Sequence, residues 1–271
     1  GMALTNGIGQ AEQQRLNRKL VVELLRRQGL CSRAALSKAS SLKRATITNI
    51  INEFIDCGLV VEDGILGGDK GRRSIGIRIN GYRYRVACVM VTRKCYHIGM
   101  MGLSGEMYEV KTCPVKDNLA AKALIQGIQQ DVQKMIDDAP ETRVLAIGVA
   151  MPGPYRREKG EMVFITNLSG WDFIPVRSRL QQGFDIPVFV ENDANAGALA
   201  QYWYGAEEEA KDLSYIVAGH GIGQGIIANG EILRGSAGIA GELGHTSIYY
   251  DGPRCECGSR GCLELYCSVL A

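Results

Sequence analysis

Residues 241–264 hold a histidine and three cysteines within a short stretch of chain. His245 is followed ten residues later by Cys255, and Cys257 and Cys262 complete the set. One imidazole and three thiolates are the donors of a closed tetrahedral zinc site, which leaves no open position for an activated water. The spacing therefore predicts a structural Zn2+ that folds this loop. The alternative is a group of ordinary reduced cysteines beside a core histidine.

The composition is that of a globular protein. The chain has 271 residues, 46% of them hydrophobic and 22% charged, which is enough for two domains. Its nine cysteines are partly scattered, and no signal peptide or apolar run of membrane-spanning length precedes them. We therefore expect a cytoplasmic location, a reducing environment and no membrane partner.

The net charge of +2 conceals an asymmetry along the chain. Residues 1–80 contain 13 Lys and Arg against 7 Asp and Glu, for a net charge of +6. The remaining residues contain 18 against 22, for a net charge of −4. A basic head on a mildly acidic body suggests that the head alone meets a polyanion.

The head has the element order of a winged helix-turn-helix domain over residues 14–80. Residues 1–13 show no periodicity and are expected to be a flexible tail. Helices are predicted for 14–28, for 33–39 with Ser32 as the N-cap, and for 43–57. Strands at 59–62 and 74–79 flank a glycine-rich basic tip and form the wing. The alternative is a small helical module for dimerisation or protein binding.

Short polar and basic side chains occupy the outer face of the third predicted helix, opposite its apolar face. Such side chains suit base edges and phosphates in a major groove, and a basic hairpin tip suits the DNA backbone or minor groove. The DNA-contact candidates are Arg33, Arg44, Thr46, Thr48, Asn49, Arg72 and Arg73.

From Tyr82 onward, strands and helices alternate, which predicts an α/β body. An apolar strand at 144–150 runs into the loop Pro152–Pro154. A second strand at 188–190 ends in the polar segment Glu191–Asn195, where a helix begins. Strand ends beside a helix N-terminus are where such folds bind ligands.

These motifs together resemble the ROK family, which groups sugar-responsive repressors with sugar kinases. The matching segments are the Pro152–Pro154 loop, Glu191–Asn195, the Glu242–His245 cluster and the cysteine signature that ends at Glu264. The resemblance implies an actin-like ATPase (ribonuclease H-like) body over residues 82–271. Its first lobe would span 82–200, and an incomplete second lobe with the zinc loop would span 201–271. The head resembles that of the repressor branch, although Lys43 stands where a small capping residue is usual.

The resemblance also implies a sugar pocket. A hexose would be surrounded by Gly153, Asn167, Asn192, Asp193, Glu242, His245 and Glu264. Carboxylates, an amide and an imidazole can each pair with sugar hydroxyls, and His245 would serve both the zinc and the sugar. The alternative for Glu242 and Glu264 is that both are plain surface carboxylates.

The phosphate-binding loops depart from the pattern of the family's kinases. Asp193 matches the catalytic base, but the segment Met90–Lys94 stands in place of an Asp-x-Gly-Gly-Thr loop. The second loop, usually Gly-Thr-Gly, reads Gly219–Gly221 with a histidine at its centre. Without glycines and the magnesium-binding carboxylate, ATP binding should be poor. We therefore expect no enzyme activity, with Asp193 as a vestigial base.

The sequence thus indicates a DNA-binding transcriptional regulator of carbohydrate metabolism, with operator DNA and a sugar effector as partners. We expect a homodimer or higher homo-oligomer, in which a sugar between Asp193 and Glu242 alters the spacing of two recognition helices. Two alternatives remain: an active hexose kinase with an appended DNA-binding head, and a constitutive DNA-binding protein with an inert body.

Overall fold

The chain divides into two compact units. The structure, a computed structural model, describes residues 9–67, 73–115, 120–163, 170–205 and 210–269. The first unit comprises Gly1–Arg85 with Met101–Glu106, and the second comprises Val86–Met100 with Met107–Ala271. Within the described ranges, no helix is both long and apolar enough to cross a lipid bilayer.

The first unit contains three helices and a small sheet. Its elements are α1 (Gln10–Gln28), β1 (Cys31–Ser32), α2 (Arg33–Ser40), α3 (Arg44–Asp56), β2 (Val60–Gly67) and β3 (Arg73–Ile79). The sheet has the order β1-β3-β2, and β3 pairs antiparallel with both neighbours. The three helices and the hairpin thus follow in the predicted order.

Apolar side chains from the helices and β3 form the core of this unit. Val21 and Leu25 of α1, Ile47 and Ile51 of α3, and Ile77 of β3 are all at most 1% exposed. Helical periodicity places the first four on the inner faces of their helices. Each such side chain contributes about 1.5–3 kcal/mol relative to an exposed one.

The two short helices begin differently. Ser32 caps α2, because its Oγ accepts a hydrogen bond of 3.1 Å from the Ala35 backbone N–H. Lys43 precedes α3 and provides no side-chain cap, since an ammonium group cannot accept a hydrogen bond. Helix α3 thus begins at Arg44 without a side-chain cap, one residue after the predicted start.

Helix α1 begins at Gln10, so residues 10–13 belong to the helix and not to a flexible tail. The prediction of a tail over 1–13 was wrong at this end, because it relied on apolar periodicity. Ala11 and Glu12 are strong helix formers without being part of an apolar face. Glu12 also forms an ion pair of 2.7 Å with Arg15, one turn later.

Strand β2 extends five residues beyond the predicted end at Glu62. The register shifts between Glu62 and Ile65, and Gly64 adopts a φ of +71° there. Ile65 and its partner Ile75 are 65% and 50% exposed. This part of the hairpin therefore lacks the buried apolar positions from which a strand is predicted. Backbone pairing alone extends the strand.

The second unit is built on a five-stranded sheet and a three-stranded sheet. Its elements are β4 (Tyr84–Val91), β5 (Cys95–Gly102), β6 (Met107–Pro114), α4 (Ala121–Asp137), β7 (Arg143–Met151), β8 (Tyr155–Arg156), β9 (Glu161–Met162), α5 (Val176–Gln181), β10 (Val188–Asn192), α6 (Asp193–Tyr204), β11 (Leu213–Ala218), β12 (Ile222–Ala228), β13 (Glu231–Ile232) and α7 (Glu264–Cys267). The larger sheet has the order β10-β7-β4-β5-β6, and the smaller has the order β11-β12-β13.

One face of the larger sheet carries the core of this unit. Alternate residues of its strands, such as Val89, Ile98 and Ile147, are buried with Ile128 of α4 and Leu180 of α5. The period of two in these strands is the pattern of a sheet with a packed face. This packing fixes the strands whose ends carry the loops at the edge of the sheet.

Strands β7 and β10 place the two polar strand ends side by side. They are parallel neighbours, and their register pairs Met151 with Asn192 at the carboxyl ends. The Pro152–Pro154 loop and the start of α6 therefore leave the sheet together, as the strand-end argument predicts.

Helix α6 packs closely on the smaller sheet. A Cβ atom at Gly225 of β12 would collide with the backbone oxygen of Ala194, and one at Gly197 would collide with the ring of Tyr215. Glycine is thus required on both sides of this contact, which fixes the first turn of α6 against β12.

Candidate functional site

The side chains of His245, Cys255, Cys257 and Cys262 converge, and their ligand atoms all lie within 4.8 Å of one another. Cys257 Sγ lies 3.6 Å from Cys262 Sγ, and Cys255 Sγ lies 3.6 Å from His245 Nδ1. In a tetrahedral site with bonds of about 2.3 Å to sulfur and about 2.0 Å to nitrogen, such edges measure roughly 3.5–3.8 Å. The four side chains therefore fit a tetrahedral metal ion.

Backbone contacts close the loop that carries the cysteines. Ser247 pairs with Cys262 in an antiparallel bridge, and the Ile248 N–H donates to the Gly261 carbonyl at 2.8 Å. Gly261 has a φ of +63°, and a Cβ atom there would collide with the carbonyl group of Tyr249. This position requires glycine both for its conformation and for its close neighbour.

Glu264 lies beside the metal cluster and is only 7% exposed. Its Oε2 accepts a hydrogen bond of 3.1 Å from the Ile222 backbone N–H, and its Oε1 lies 3.9 Å from His245 Nε2. His245 therefore turns one ring nitrogen to the cysteines and the other to Glu264. The interpretation of Glu264 as a plain surface carboxylate is wrong, because the side chain is buried.

Glu242 joins this group from the start of a single 3-10 turn, Leu243–His245. Burial, together with the nearby carboxylates of Glu264 and Asp193, raises the pKa of Glu242 to about 7. The carboxyl groups of Glu264 and Asp193 thus lie near enough to Glu242 to act on its carboxyl group. Glu242 is partly buried, so it too is more than a solvated surface group.

Asp193 is the first residue of α6, and burial raises the pKa of its carboxyl group. Its Oδ1 accepts a hydrogen bond of 2.8 Å from the Ala194 backbone N–H. A carboxylate at a helix N-terminus is favourably placed by the helix dipole. Asp193 thus lies where the sequence predicts a ligand-facing acid.

Asn192 serves mainly as a structural connector. Its Oδ1 accepts hydrogen bonds from the N–H groups of Ala194 and Asn195, at 3.0 and 3.2 Å, and so caps α6. Its Nδ2 donates to the Gly153 carbonyl at 2.8 Å. One amide hydrogen remains for a ligand. The side chain fastens the Pro152–Pro154 loop to the start of the helix.

An ion pair that the sequence does not reveal connects β10 to the chain after β13. Arg234 Nη1 lies 2.7 Å from Glu191 Oε2, and the two side chains are 27% and 17% exposed. Arg234 follows a short strand and precedes a glycine-rich segment, a context in which no motif or periodicity marks a charged residue.

The group as a whole is rich in hydrogen-bond acceptors. Asp193, Glu242 and Glu264 supply carboxyl groups, whereas His245 would offer an N–H donor at Nε2, close to Glu264, when its Nδ1 holds a metal. A neutral molecule with several hydroxyl groups can donate to these acceptors without placing a second charge among them. Asn167, the remaining pocket candidate, lies outside the described residues.

Several of the DNA-contact candidates are exposed on the first unit. Arg44, Thr48 and Asn49 are exposed on α3, and Thr46 is partly exposed. Arg73 is exposed at the start of β3, whereas Arg72 lies outside the described residues. Arg33 differs from these, because its guanidinium forms an ion pair of 3.1 Å with Glu62. Its availability to a phosphate is correspondingly reduced.

Comparison with known proteins gives consistent relationships. A xylose repressor from Caldicellulosiruptor bescii is 34% identical over 260 residues, which cover 95% of this chain and 65% of that protein. The crystal structure of a ROK family transcriptional regulator, described as a homologue of the Escherichia coli Mlc protein, matches with a TM-score of 0.78 and 28% identity. The match covers 96% of this chain and 66% of the regulator's chain.

A sugar kinase also matches, over a smaller part of this chain. A ROK family glucokinase from Streptomyces griseus, solved with glucose and AMPPNP, matches with a TM-score of 0.61 and 29% identity. It covers 68% of this chain and 57% of the kinase. The chain spans about 65% of the length of its xylose repressor relative. The α/β body is thus similar to both ROK regulators and actin-like sugar kinases.

The model of the ROK family matches residues 86–271, a range that contains the metal cluster and every pocket candidate. This match covers more than half of the chain, and it coincides with the second unit almost from its first residue. The chain belongs to the ROK family.

Proposed function

We propose that this chain is a DNA-binding transcriptional repressor of carbohydrate metabolism whose affinity for operator DNA responds to a sugar. The observation that carries the proposal is the extent of similarity: the regulator structure covers 96% of the chain, and the glucokinase covers 68%. The additional part includes the basic head, which a sugar kinase does not need. As an operator-binding protein, it would act in the cytoplasm as a homodimer or higher homo-oligomer.

In this proposal the head, residues 14–80, is a winged helix-turn-helix domain. Helix α3 enters the major groove with Arg44, Thr46, Thr48 and Asn49, whose exposed side chains suit bases and phosphates. The β2–β3 hairpin is the wing, and Arg73, with Arg72 just before it in sequence, would contact the DNA backbone. Arg33 has a weaker claim, since Glu62 already pairs with it.

The metal of the cluster is proposed to be a structural Zn2+. Three thiolates and one imidazole are typical of structural zinc and leave no position for a catalytic water. The two 3.6 Å ligand separations support tetrahedral geometry. Bound zinc would fix the loop and orient the His245 ring, so that Nε2 faces Glu264.

The sugar is proposed to bind among Gly153, Asn167, Asn192, Asp193, Glu242, His245 and Glu264. Support comes from the shared electrostatic environment of the three carboxyl groups and from the buried position of Glu264. Xylose is the first candidate, because the relative from Caldicellulosiruptor bescii is a xylose repressor. Asn192 would give a single donor, since its other polar atoms are already bonded.

The second candidate function, an active hexose kinase, has support from the similarity to glucokinase and from Asp193. The turn at Thr92–Cys95 argues against it. Thr92 exchanges hydrogen bonds with Cys95: its N–H and Oγ1 both donate to the Cys95 carbonyl at 2.8 Å, and its Oγ1 accepts from the Cys95 N–H at 3.2 Å. A hydroxyl committed to its own turn, without glycines beside it, is poorly suited to a triphosphate.

Fluorescence anisotropy tests the proposed function. Operator DNA would first be selected by the protein from a random-sequence library, and its Kd measured with and without xylose, glucose and other neutral aldoses. We expect one sugar to change the Kd at least fivefold, within the usual range of allosteric coupling. Asp193→Asn should lose the response and keep DNA binding.

Three results would contradict this assignment. Absence of any selected sequence would remove the DNA-binding role. Sugar-dependent ADP release in a coupled assay, lost in Asp193→Asn, would identify the chain as a kinase. DNA binding with neither a sugar-induced thermal shift nor a change in Kd would indicate an inert body.

A further inference from the structure

The Arg234–Glu191 ion pair is sheltered from solvent more than most pairs in the described part of the chain. Its side chains are 27% and 17% exposed, whereas those of Arg15 and Glu12 are 68% and 47% exposed. Exposed pairs contribute little, because water and salt screen them. Removal of one partner from a sheltered pair leaves the other charge uncompensated, so such a change is expected to loosen the two backbone segments that the pair joins.

Glu191 holds one side of the proposed pocket. It lies one residue before Asn192, and its Oε1 accepts hydrogen bonds from the Asn192 backbone N–H at 3.0 Å and from Asn195 Nδ2 at 3.1 Å. Both partners belong to the cap and first turn of α6, where Asp193 also lies. A shift of the Glu191 carboxylate would therefore also shift the start of α6, which carries Asp193.

Arg234 lies at the start of the segment that leads to Glu242, on the other side of the pocket. No residue of 233–241 is buried, so side-chain packing gives this segment little support. Gly235, Gly238 and Gly241 all have positive φ, and the Ala240 N–H donates to the Arg234 carbonyl at 2.9 Å. The segment is thus a closed loop, and Arg234 at its start attaches it to Glu191.

We propose that Arg234 is a positioning residue that fixes the separation between Asp193 and Glu242 through Glu191. This inference rests on the proposed sugar-binding function. A sugar that forms hydrogen bonds to both Asp193 and Glu242 spans the same gap as the ion pair. The sugar and the ion pair therefore stabilise the same arrangement of the loop, and each strengthens the other.

Calorimetric titration with xylose, or with the aldose that binds most tightly, tests the inference. Arg234→Ala should weaken sugar binding by roughly tenfold, within the usual range of coupling between sites. Arg234→Lys should recover part of this loss. The matched control is Arg156→Ala, which removes another partly buried Arg–Glu pair, with Glu161 at 3.4 Å, in the β8–β9 hairpin that carries neither Asp193 nor Glu242. It should change the affinity less than twofold.

A second variant separates coupling from general damage. Glu191→Gln keeps an acceptor for Asn192 and Asn195 but removes the charge that pairs with Arg234. It should weaken sugar binding about as much as Arg234→Ala, and the double variant should lose no more than either single change. Additive losses, or an affinity of Arg234→Ala within twofold of the unaltered protein, would overturn the inference.

A measurement without sugar keeps this inference distinct from the proposed function. Hydrogen–deuterium exchange of a peptide spanning 233–242 should accelerate in Arg234→Ala and stay unchanged in Arg156→Ala. Equal exchange in all three proteins would refute the positioning role even if sugar binds. A third outcome is that Arg234→Ala exchanges faster but no aldose binds the unaltered protein. In that case the proposed sugar function fails. The ion pair then only anchors the loop, which also overturns its role in binding.

Discussion

Removal of the metal should unfold the cysteine loop while leaving the larger sheet intact. All residues between Thr246 and Leu263 are described, and the only buried side chains among them are those of Cys255 and Cys262. At about 0.8 kcal/mol per buried methylene-sized group, these two side chains contribute only about 3 kcal/mol. A structural zinc contributes about 10–16 kcal/mol in small zinc-binding peptides, so the proposed Zn2+, once bound, would dominate the order of this loop.

Hydrogen–deuterium exchange before and after chelation measures this effect. The amides of Ile248, Cys255 and Leu263, which donate to backbone carbonyls within the loop, should lose protection when the metal is removed. Peptides from β7 should stay protected, because that strand lies in the separate core of the five-stranded sheet. Elemental analysis should find about one zinc per chain before chelation.

Two cysteine variants make the test specific. Cys257→Ser should lose the zinc and reproduce the exchange of the chelated protein, whereas Cys267→Ser, at an exposed cysteine outside the cluster, should keep both metal and protection. The reasoning is refuted if the loop stays equally protected after elemental analysis shows that the metal is gone. It is also refuted if no metal accompanies the protein purified without chelators.

Three further predictions concern stability and DNA binding. Asn192→Ala should lower the free energy of unfolding by about 1–2 kcal/mol in urea denaturation, because it removes the cap of α6, and an unchanged midpoint would contradict that role. Ile51→Ala should lower the free energy of unfolding by about 2–5 kcal/mol, since this side chain is fully buried. Ile65→Ala, at a position that is 65% exposed, should lower it by less than about 0.5 kcal/mol. Equal losses in the two variants would contradict the assigned core. Asn49→Ala should weaken operator binding by about 1–3 kcal/mol in anisotropy titrations and leave the thermal midpoint unchanged, and a midpoint that falls with the affinity would argue for a structural role.

The convergence of the four candidate metal ligands could be predicted from the sequence because they lie close together along the chain. Cys255, Cys257 and Cys262 fall within eight residues, so the donor set can be identified without knowledge of the fold. The inner faces of α1 and α3 were predictable for a similar reason. Helical periodicity is a local property, and Ile47 and Ile51 follow it.

Features that depend on distant contacts could not be predicted in the same way. Arg234 and Glu191 are far apart in sequence, and nothing in either segment indicates that they meet. The same limit applies to Asn192, whose type suggested a ligand contact although most of its hydrogen-bonding capacity holds the Gly153 carbonyl and the first turn of α6. The local sequence shows which hydrogen bonds a side chain can form, but not which of them are already formed within the fold.

The way the pocket is assembled has a consequence for how sugar preference could diverge among related proteins. Glu242 and His245 lie on a segment held by loop contacts and a metal cluster, whereas Asp193 lies on a helix that fits tightly against glycines of β12. Substitutions at Ser236, Ala237 or Ile239, which lie between glycines of positive φ, can reshape this segment without disturbing a packed interior, and substitutions at the start of α6 cannot. New specificities should therefore arise first in the glycine-rich loop, with the helical wall kept as the unchanged half of the site.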